Sequence, residues 1–89
     1  MRELRLTAQF RKDDRRVRRR GKDTDRMDRI IEKLVSGERL EPRHRAHRLS
    51  GNLSPYWECH IEPDSLLIWD DDGSTVTLIR TGTHSDLFR

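Results

Sequence analysis

The sequence predicts an α+β fold: a short N-terminal strand, then a helical hairpin packed on one face of an antiparallel four- to five-stranded sheet. Three observations carry this. Met27, Ile30, Ile31, Leu34 and Val35 fall at i, i+3, i+4, i+7 and i+8, the apolar stripe of an amphipathic helix. Trp57, Cys59 and Ile61 alternate with Glu58, His60 and Glu62, the period of a half-buried strand. Asp72-Gly73 stands between two apolar runs, the signature of a tight hairpin. Helices followed by a run of strands describe a helical layer on a sheet.

Each element has its own local logic. Leu4 and Leu6 alternate with Arg residues as a first strand, and Thr7 is placed to cap a helix over Ala8–Arg20. Phe10 and Val17, seven apart, share that helix's inner face, and Gly21 stops it. Asp23 or Thr24 caps the second helix, Asp25 and Asp28 suit its positive end, and Gly37 ends it. Glu38–His44 reads as a connector around Pro42, and Arg45–Leu49 as a strand with His47 facing away from Ala46 and Arg48. Pro63 cannot donate to a ladder, so the Trp57 strand stops there and Asp64 begins a turn. Leu66–Trp69 is apolar throughout, as expected of a strand covered on both faces. Thr75–Thr81 is the last strand, with Val76 and Leu78 on one face; Gly82 breaks it, and residues 83–89 form a short tail.

Eighty-nine residues make one domain, 1–89, with a thin core, because only 31% of residues are hydrophobic and 39% are charged. One cysteine, Cys59, excludes an internal disulfide and suits a reducing compartment. No apolar run reaches the length of a membrane span and no signal-peptide core is present, so the expectation is a cytoplasmic protein with no membrane partner. Charge is uneven: residues 1–48 hold 17 Lys/Arg against 9 Asp/Glu, and residues 49–89 hold 2 against 7. Sixteen of the basic residues are arginine, which offers planar donors to phosphate and stacks on bases. The basic half, with Arg11, Arg15, Arg18 and Arg19 on the first helix, points to a polyanion such as RNA.

His47, His60 and His84 all fall on or beside the sheet, with Asp64 at its rim. Three readings suit them. A metal site is one, although the spacing matches no zinc signature and Cys59 points away from His60. Structural use is another. The third is metal-free RNA cleavage, in which the ribose 2′-hydroxyl attacks its own phosphate. That reaction needs a base, an acid for the leaving 5′-oxygen and a cation for the phosphorane. Histidine serves as acid or base near neutral pH, and Arg80 can supply the charge.

The run Glu58-Cys59-His60-Ile61-Glu62-Pro63-Asp64, the following Leu-Leu-Ile-Trp and the closing block Arg80–Phe88 resemble the YafQ-type toxins of the RelE superfamily. Arg45–Leu49 with Gly51, and Phe10-Arg11-Lys12-Asp13, match in the same order, so the likeness spans nearly the whole chain. The resemblance implies a ribosome-dependent endoribonuclease: an mRNA interferase that enters the A site, cuts messenger RNA and inhibits translation without a cofactor. It also implies a cognate antitoxin of RelB/DinJ type, assembling with the toxin as a heterotetramer. By the same likeness His84 is the general acid, and His60 and Asp64 are needed for cleavage, one as the base. His47 lies near the scissile phosphate and Arg80 stabilises the phosphorane. Phe88 packs by the cleaved nucleotide, and Glu58 is an acid preceding the histidine of the strand. Three positions depart from the pattern: Ala46 replaces an acid, Ser65 an aromatic and Trp69 a tyrosine. The alternative is a ParE-like or non-catalytic homologue that acts by binding protein.

Overall fold

The computed structural model describes residues 1–53 and 55–88. Its elements are β1 (Glu3–Leu6), α1 (Ala8–Arg19), α2 (Asp25–Ser36), β2 (His47–Arg48), β3 (Trp57–Glu62), β4 (Ser65–Asp71), β5 (Thr75–Gly82) and α3 (His84–Leu87). Short 3-10 turns at Pro42–His44 and Gly51–Leu53 flank β2.

The five strands form one sheet in the order β1-β5-β4-β3-β2. Strands β3, β4 and β5 are a hairpin-linked antiparallel meander, as the turn signals require. The sheet is mixed, however, not wholly antiparallel, because β1 pairs with β5 in parallel. A hairpin forces reversal; β1 and β5 are instead joined by the rest of the chain, which leaves their relative direction free. The expected strand at 45–49 shrinks to His47 and Arg48. Arg45 ends the Pro42 turn at φ 50°, outside any strand conformation.

Both long helices cover one face of the sheet. The Thr7 side chain accepts the Phe10 N–H at 2.9 Å, the cap expected from sequence. The Thr7 hydroxyl also donates to the Ile79 carbonyl, tying the start of α1 to β5. Phe10, Met27, Ile30 and Leu34 meet Cys59, Ile61, Leu67, Trp69, Val76 and Leu78 in the core. Leu66 and Ile68 are equally buried but face the other way, so β4 is covered on both sides. Trp57 and Trp69 stack at 6.4 Å, and the Arg48 guanidinium lies 5.0 Å over the Trp57 ring.

A bulge in β5 decides what the open face presents. Trp69 pairs with Leu78, but Ile68 pairs with Arg80, so Ile79 is an extra residue. Were Ile79 paired in regular alternation instead, the parity of Val76 and Leu78 would aim Arg80 into the core. With the bulge, Arg80 joins Ile68 on the open face and Thr81 turns inward, where its hydroxyl donates to the Leu66 carbonyl at 2.7 Å.

The predicted tail is a capped helical turn. Thr83 and Asp86 form a reciprocal capping box around α3. Gly82 permits this: its φ is 150°, and a Cβ there would come within 2.8 Å of an Asp86 carboxylate oxygen. Arg89, the last residue of that tail, lies outside the described residues.

Candidate active site

Strand register aligns the expected residues in two rows across the open face. One row runs His47, Glu58, Ile68, Arg80 from β2 to β5; the next runs His60, Leu66, Gly82. His47 and Arg80 therefore stand three strand spacings apart, roughly 14 Å between backbones. Between them Leu66 and Ile68 lie beneath neighbouring side chains, at 0% and 1% exposure.

At the end of the second row α3 brings His84 against Asp64. The His84 ring donates from Nδ1 to Asp64 Oδ1 at 2.8 Å, and the His84 backbone N–H donates to the same oxygen at 3.1 Å. The ring bond, then the backbone bond, hold the Asp64 carboxyl below its ordinary pKa, so it is the anionic acceptor. Nδ1 thus carries a proton and Nε2 is left toward the open face. The His60 ring lies edge-on to His84 at 5.7 Å between centroids, and the Phe88 ring is 6.5 Å away. Phe88, at 43% exposure, is one of the few large apolar side chains left in solvent.

At the other end, His47 donates from Nδ1 to the Arg45 carbonyl at 2.7 Å and presents Nε2 to Glu58 Oε1 at 3.4 Å. Glu58 is on the open face as its strand parity requires. Neighbouring side chains bury it to 6% exposure, and its Oε2 has no partner among the described residues.

Arg80 is held from behind by a residue that the Phe10-Arg11-Lys12-Asp13 match contained without assigning it a role. Asp13, on the inner stripe of α1 with Phe10 and Val17, is 1% exposed. Its Oδ2 accepts Arg80 Nε at 2.7 Å and the Thr81 N–H at 3.2 Å. Its Oδ1 accepts Arg80 Nη2, Arg16 Nη2 and Gln9 Nε2. β1 pairs only with Thr75–Leu78, so Thr81 lies on an uncovered stretch of β5, and Asp13 supplies the missing acceptor. The Asp13 hydrogen bond raises the Arg80 pKa further and fixes its orientation. The available signal was an acid at i+3 from Phe10 and i−4 from Val17, inside an apolar stripe.

Two further residues outside the expected set shape the site. Asp86 accepts Arg20 at 2.8 and 3.1 Å and the Thr83 N–H at 3.0 Å; these bonds hold its carboxyl far below the usual range and pin α3 to the end of α1. His44 is buried, its Nδ1 donating to the His60 carbonyl at 2.7 Å, which fixes the backbone under His60. The four arginines expected to track RNA are not equivalent. Arg18 is paired with Asp14 at 3.1 Å, whereas Arg15 and Arg19 border a basic groove with Lys12, Arg16 and Arg20; Arg11 is exposed on the same helix. Cys59 faces the core, where burial and then Glu58 push its thiol up to about 12, so it is inert. Among the described residues no three His, Cys, Asp or Glu side chains are grouped closely enough to hold a metal ion. No helix among them is long and apolar enough to cross a membrane.

Helices on one face of a five-stranded sheet, with histidines, a carboxylate and an arginine aligned on the other, define a small basic α+β protein with its ionisable side chains gathered along one sheet face. The chain belongs to the YafQ family, whose profile, described as the bacterial toxin of a type II toxin–antitoxin system, matches residues 2–89. The mRNA interferase toxin YafQ of Escherichia coli strain K12 is 30% identical over 88 residues, 98% of this chain and 96% of that protein. Solved structures agree. YafQ in the E. coli DinJ-YafQ toxin–antitoxin complex matches with a TM-score of 0.92 at 29% identity, covering 99% of this chain and 98% of that one. A copper-bound mutant toxin from Helicobacter pylori matches with a TM-score of 0.93 at 35% identity, covering 99% and 100%.

Proposed function

We propose that this toxin is an endoribonuclease that cuts messenger RNA in the ribosomal A site, using side chains alone as acid, base and electrostatic clamp. The Asp64–His84 pair carries the reading. With Nδ1–H given to Asp64, the doubly protonated ring offers Nε2–H to the leaving 5′-oxygen, and the carboxylate balances the ring's charge. Asp64 is occupied by that bond, so the base that takes the 2′-hydroxyl proton is His60. As the 2′-oxygen closes on phosphorus and the bond to the 5′-oxygen breaks, negative charge grows on the non-bridging oxygens. Arg80 faces that charge; Asp13 takes its Nε and Nη2 and leaves Nη1 to the phosphorane. Phe88 and His47 flank the row and place the nucleotide and its phosphate.

The relatives extend the reading to partners. E. coli YafQ was solved in complex with DinJ, and a comparable antitoxin for this chain would neutralise a basic half that a disordered acidic segment fits. The site of action is the cytoplasm, where ribosomes and messages are.

The test is His84→Ala in single-turnover cleavage of ribosome-bound message. Loss of a general acid lowers the rate about 10²–10⁴-fold. The half-exposed ring contributes little packing, so the circular dichroism spectrum stays that of wild type. A rate within about threefold of wild type, some 0.6 kcal/mol of barrier, removes His84 as the acid.

A further inference from the structure

The two groups assigned to the reacting phosphate come from different elements. Arg80 is on β5 and His84 on α3, and Gly82 stands between them at φ 150°. A helix of four residues has no stability of its own, so side-chain contacts decide where it sits. The file Asp13, Arg16, Arg20 along α1, at i, i+3 and i+7, supplies them. Arg16 Nη2 donates to Asp13 Oδ1 at 3.2 Å, and the same nitrogen lies 3.8 Å from Asp86 Oδ2. Asp13 accepts Arg80 Nε at 2.7 Å, while Asp86 accepts the Thr83 N–H and closes the capping box of α3. Arg16 thus touches the carboxylate behind each reactive group. Arg20 meets Asp86 Oδ2 as well, at 2.8 Å, so that carboxylate also separates two like charges one turn apart on the helix.

We propose that Arg16 is a positioning residue that couples Arg80 to His84 across the Gly82 break. The proposal rests on the reading of Arg80 as the phosphorane clamp and His84 as the acid. Three observations carry it. The Asp13 and Asp86 side chains are both buried, and their facing oxygens are at most about 7 Å apart, since one nitrogen lies 3.2 Å from the first and 3.8 Å from the second. Two buried carboxylates at that separation repel unless a cation stands between them. Secondly, Arg16 Nε is buried with no hydrogen-bond partner among the described residues. A buried donor left unpaired is costly, so the guanidinium sits where the carboxylates need it rather than where its own donors are best served. Thirdly, the charges act across the break. Asp86 is held far below its usual range first by the Arg20 bond and also by the charge of Arg16. The Arg80 pKa is raised first by the Asp13 bond and also by the charge of Asp86. Arg16 is partly exposed, and such pairs contribute little to stability. Their effect here is on geometry, where an error of about 1 Å in placing a reacting group costs up to about 10²-fold in rate.

The experiment compares the intact toxin with Arg16→Gln and Arg16→Lys, and with Arg2→Gln, which breaks the 2.8 Å pair to Asp71 at the far end of the sheet. Nitrogen-15 NMR follows the Arg80 Nε–H and the His84 ring in the free protein. Single-turnover cleavage of ribosome-bound message at saturating toxin gives the maximal rate. Arg16→Gln is expected to move both NMR signals and to lower the maximal rate about tenfold. Arg16→Lys, which returns a point charge to the gap between the carboxylates, is expected to bring the rate back to within about threefold of wild type. Arg2→Gln is expected to lower the melt and leave both signals and the rate unchanged. If either signal stays in place in Arg16→Gln, the proposal is overturned, because Arg16 then serves one group only. Weaker binding with a wild-type maximal rate also overturns it and makes Arg16 an RNA contact. A lowered melt alone overturns it and makes Arg16 a fastening. No gain from lysine over glutamine refutes it as well, since the bridge is then not one of charge. Should Arg16→Gln fail to fold, Asp86→Asn leaves the Arg16–Asp13 pair in place and must still move the Arg80 signal; an unmoved signal is again a refutation. If the wild type does not cleave at all, the nuclease reading fails, while the NMR signals still report on the link.

Discussion

Replacing Asp13 by asparagine tests the support behind the reactive face. The two side chains have nearly the same shape, so the change removes charge and one acceptor without opening a cavity. Neither orientation of the amide fits. An NH₂ at Oδ2 would face two donors, Arg80 Nε and the Thr81 N–H; at Oδ1 it would face three, from Arg80, Arg16 and Gln9. Removing one partner of a buried charge pair costs about 3–5 kcal/mol. Arg80 keeps 28% exposure and can turn partly to water, so the low end, about 3 kcal/mol, applies. A domain of this size has about 5–13 kcal/mol in total, so the variant stays folded at room temperature. Its melting temperature falls by roughly 12–24 °C. Once untethered, Arg80 samples several rotamers, and single-turnover cleavage well below the melt falls about 10–100-fold, part of the roughly 10²–10³ that one oriented charge-stabilising donor supplies. Differential scanning calorimetry and single-turnover cleavage read the two effects separately. A melt within about 2 °C of wild type refutes the energetic argument. A lowered melt with unchanged cleavage refutes the catalytic one and leaves Asp13 as a fastening only.

Three further outcomes follow from particular contacts. Gly82→Ala, strained at φ 150° and with a Cβ that would strike the Asp86 carboxylate at 2.8 Å, should displace α3 and lower both the melt and cleavage; wild-type cleavage would show that α3 tolerates the shift. Asp86 is depressed well below the unfolded carboxyl value of about 3.9, so its contribution is complete above that pH and is lost only as pH falls through the folded value. Asp86→Asn should therefore destabilise at neutral pH and converge on wild type in strong acid; a destabilisation independent of pH would contradict the assignment. Cys59, with its thiol raised to about 12, should resist alkylation at pH 8 and react at the rate of global unfolding; rapid labelling of the native protein would show that β3 opens locally.

The fold was legible where burial and turn chemistry speak through periodicity. The stripe from Met27 to Val35, the Thr7 cap and the Asp72-Gly73 hairpin each became the element they announce. The site was legible as a list of residues but less so as a set of partnerships. Parity placed Glu58 and His60 on the open side correctly, yet it could not show Glu58 buried by its neighbours. Asp64 and His84 are twenty positions apart, and only the α3 turn joins them. Asp13 escaped because a buried acid in an arginine-rich helix looks like any other member of the charge pattern. The parallel placement of β1 carries no local signal, since nothing near Leu4 or Leu6 encodes the direction of a strand seventy residues away.

The extra residue at Ile79 has a consequence for how such a protein changes over time. The bulge already absorbs one residue of chain, so deleting Ile79 would leave Leu78 opposite Trp69 and Arg80 opposite Ile68, now in plain alternation. The cation would keep the side it faces. Straightening the strand with Ile79 retained would do the reverse and carry Arg80 toward the helices. At this one position the loss of a codon is a smaller change than the loss of a kink.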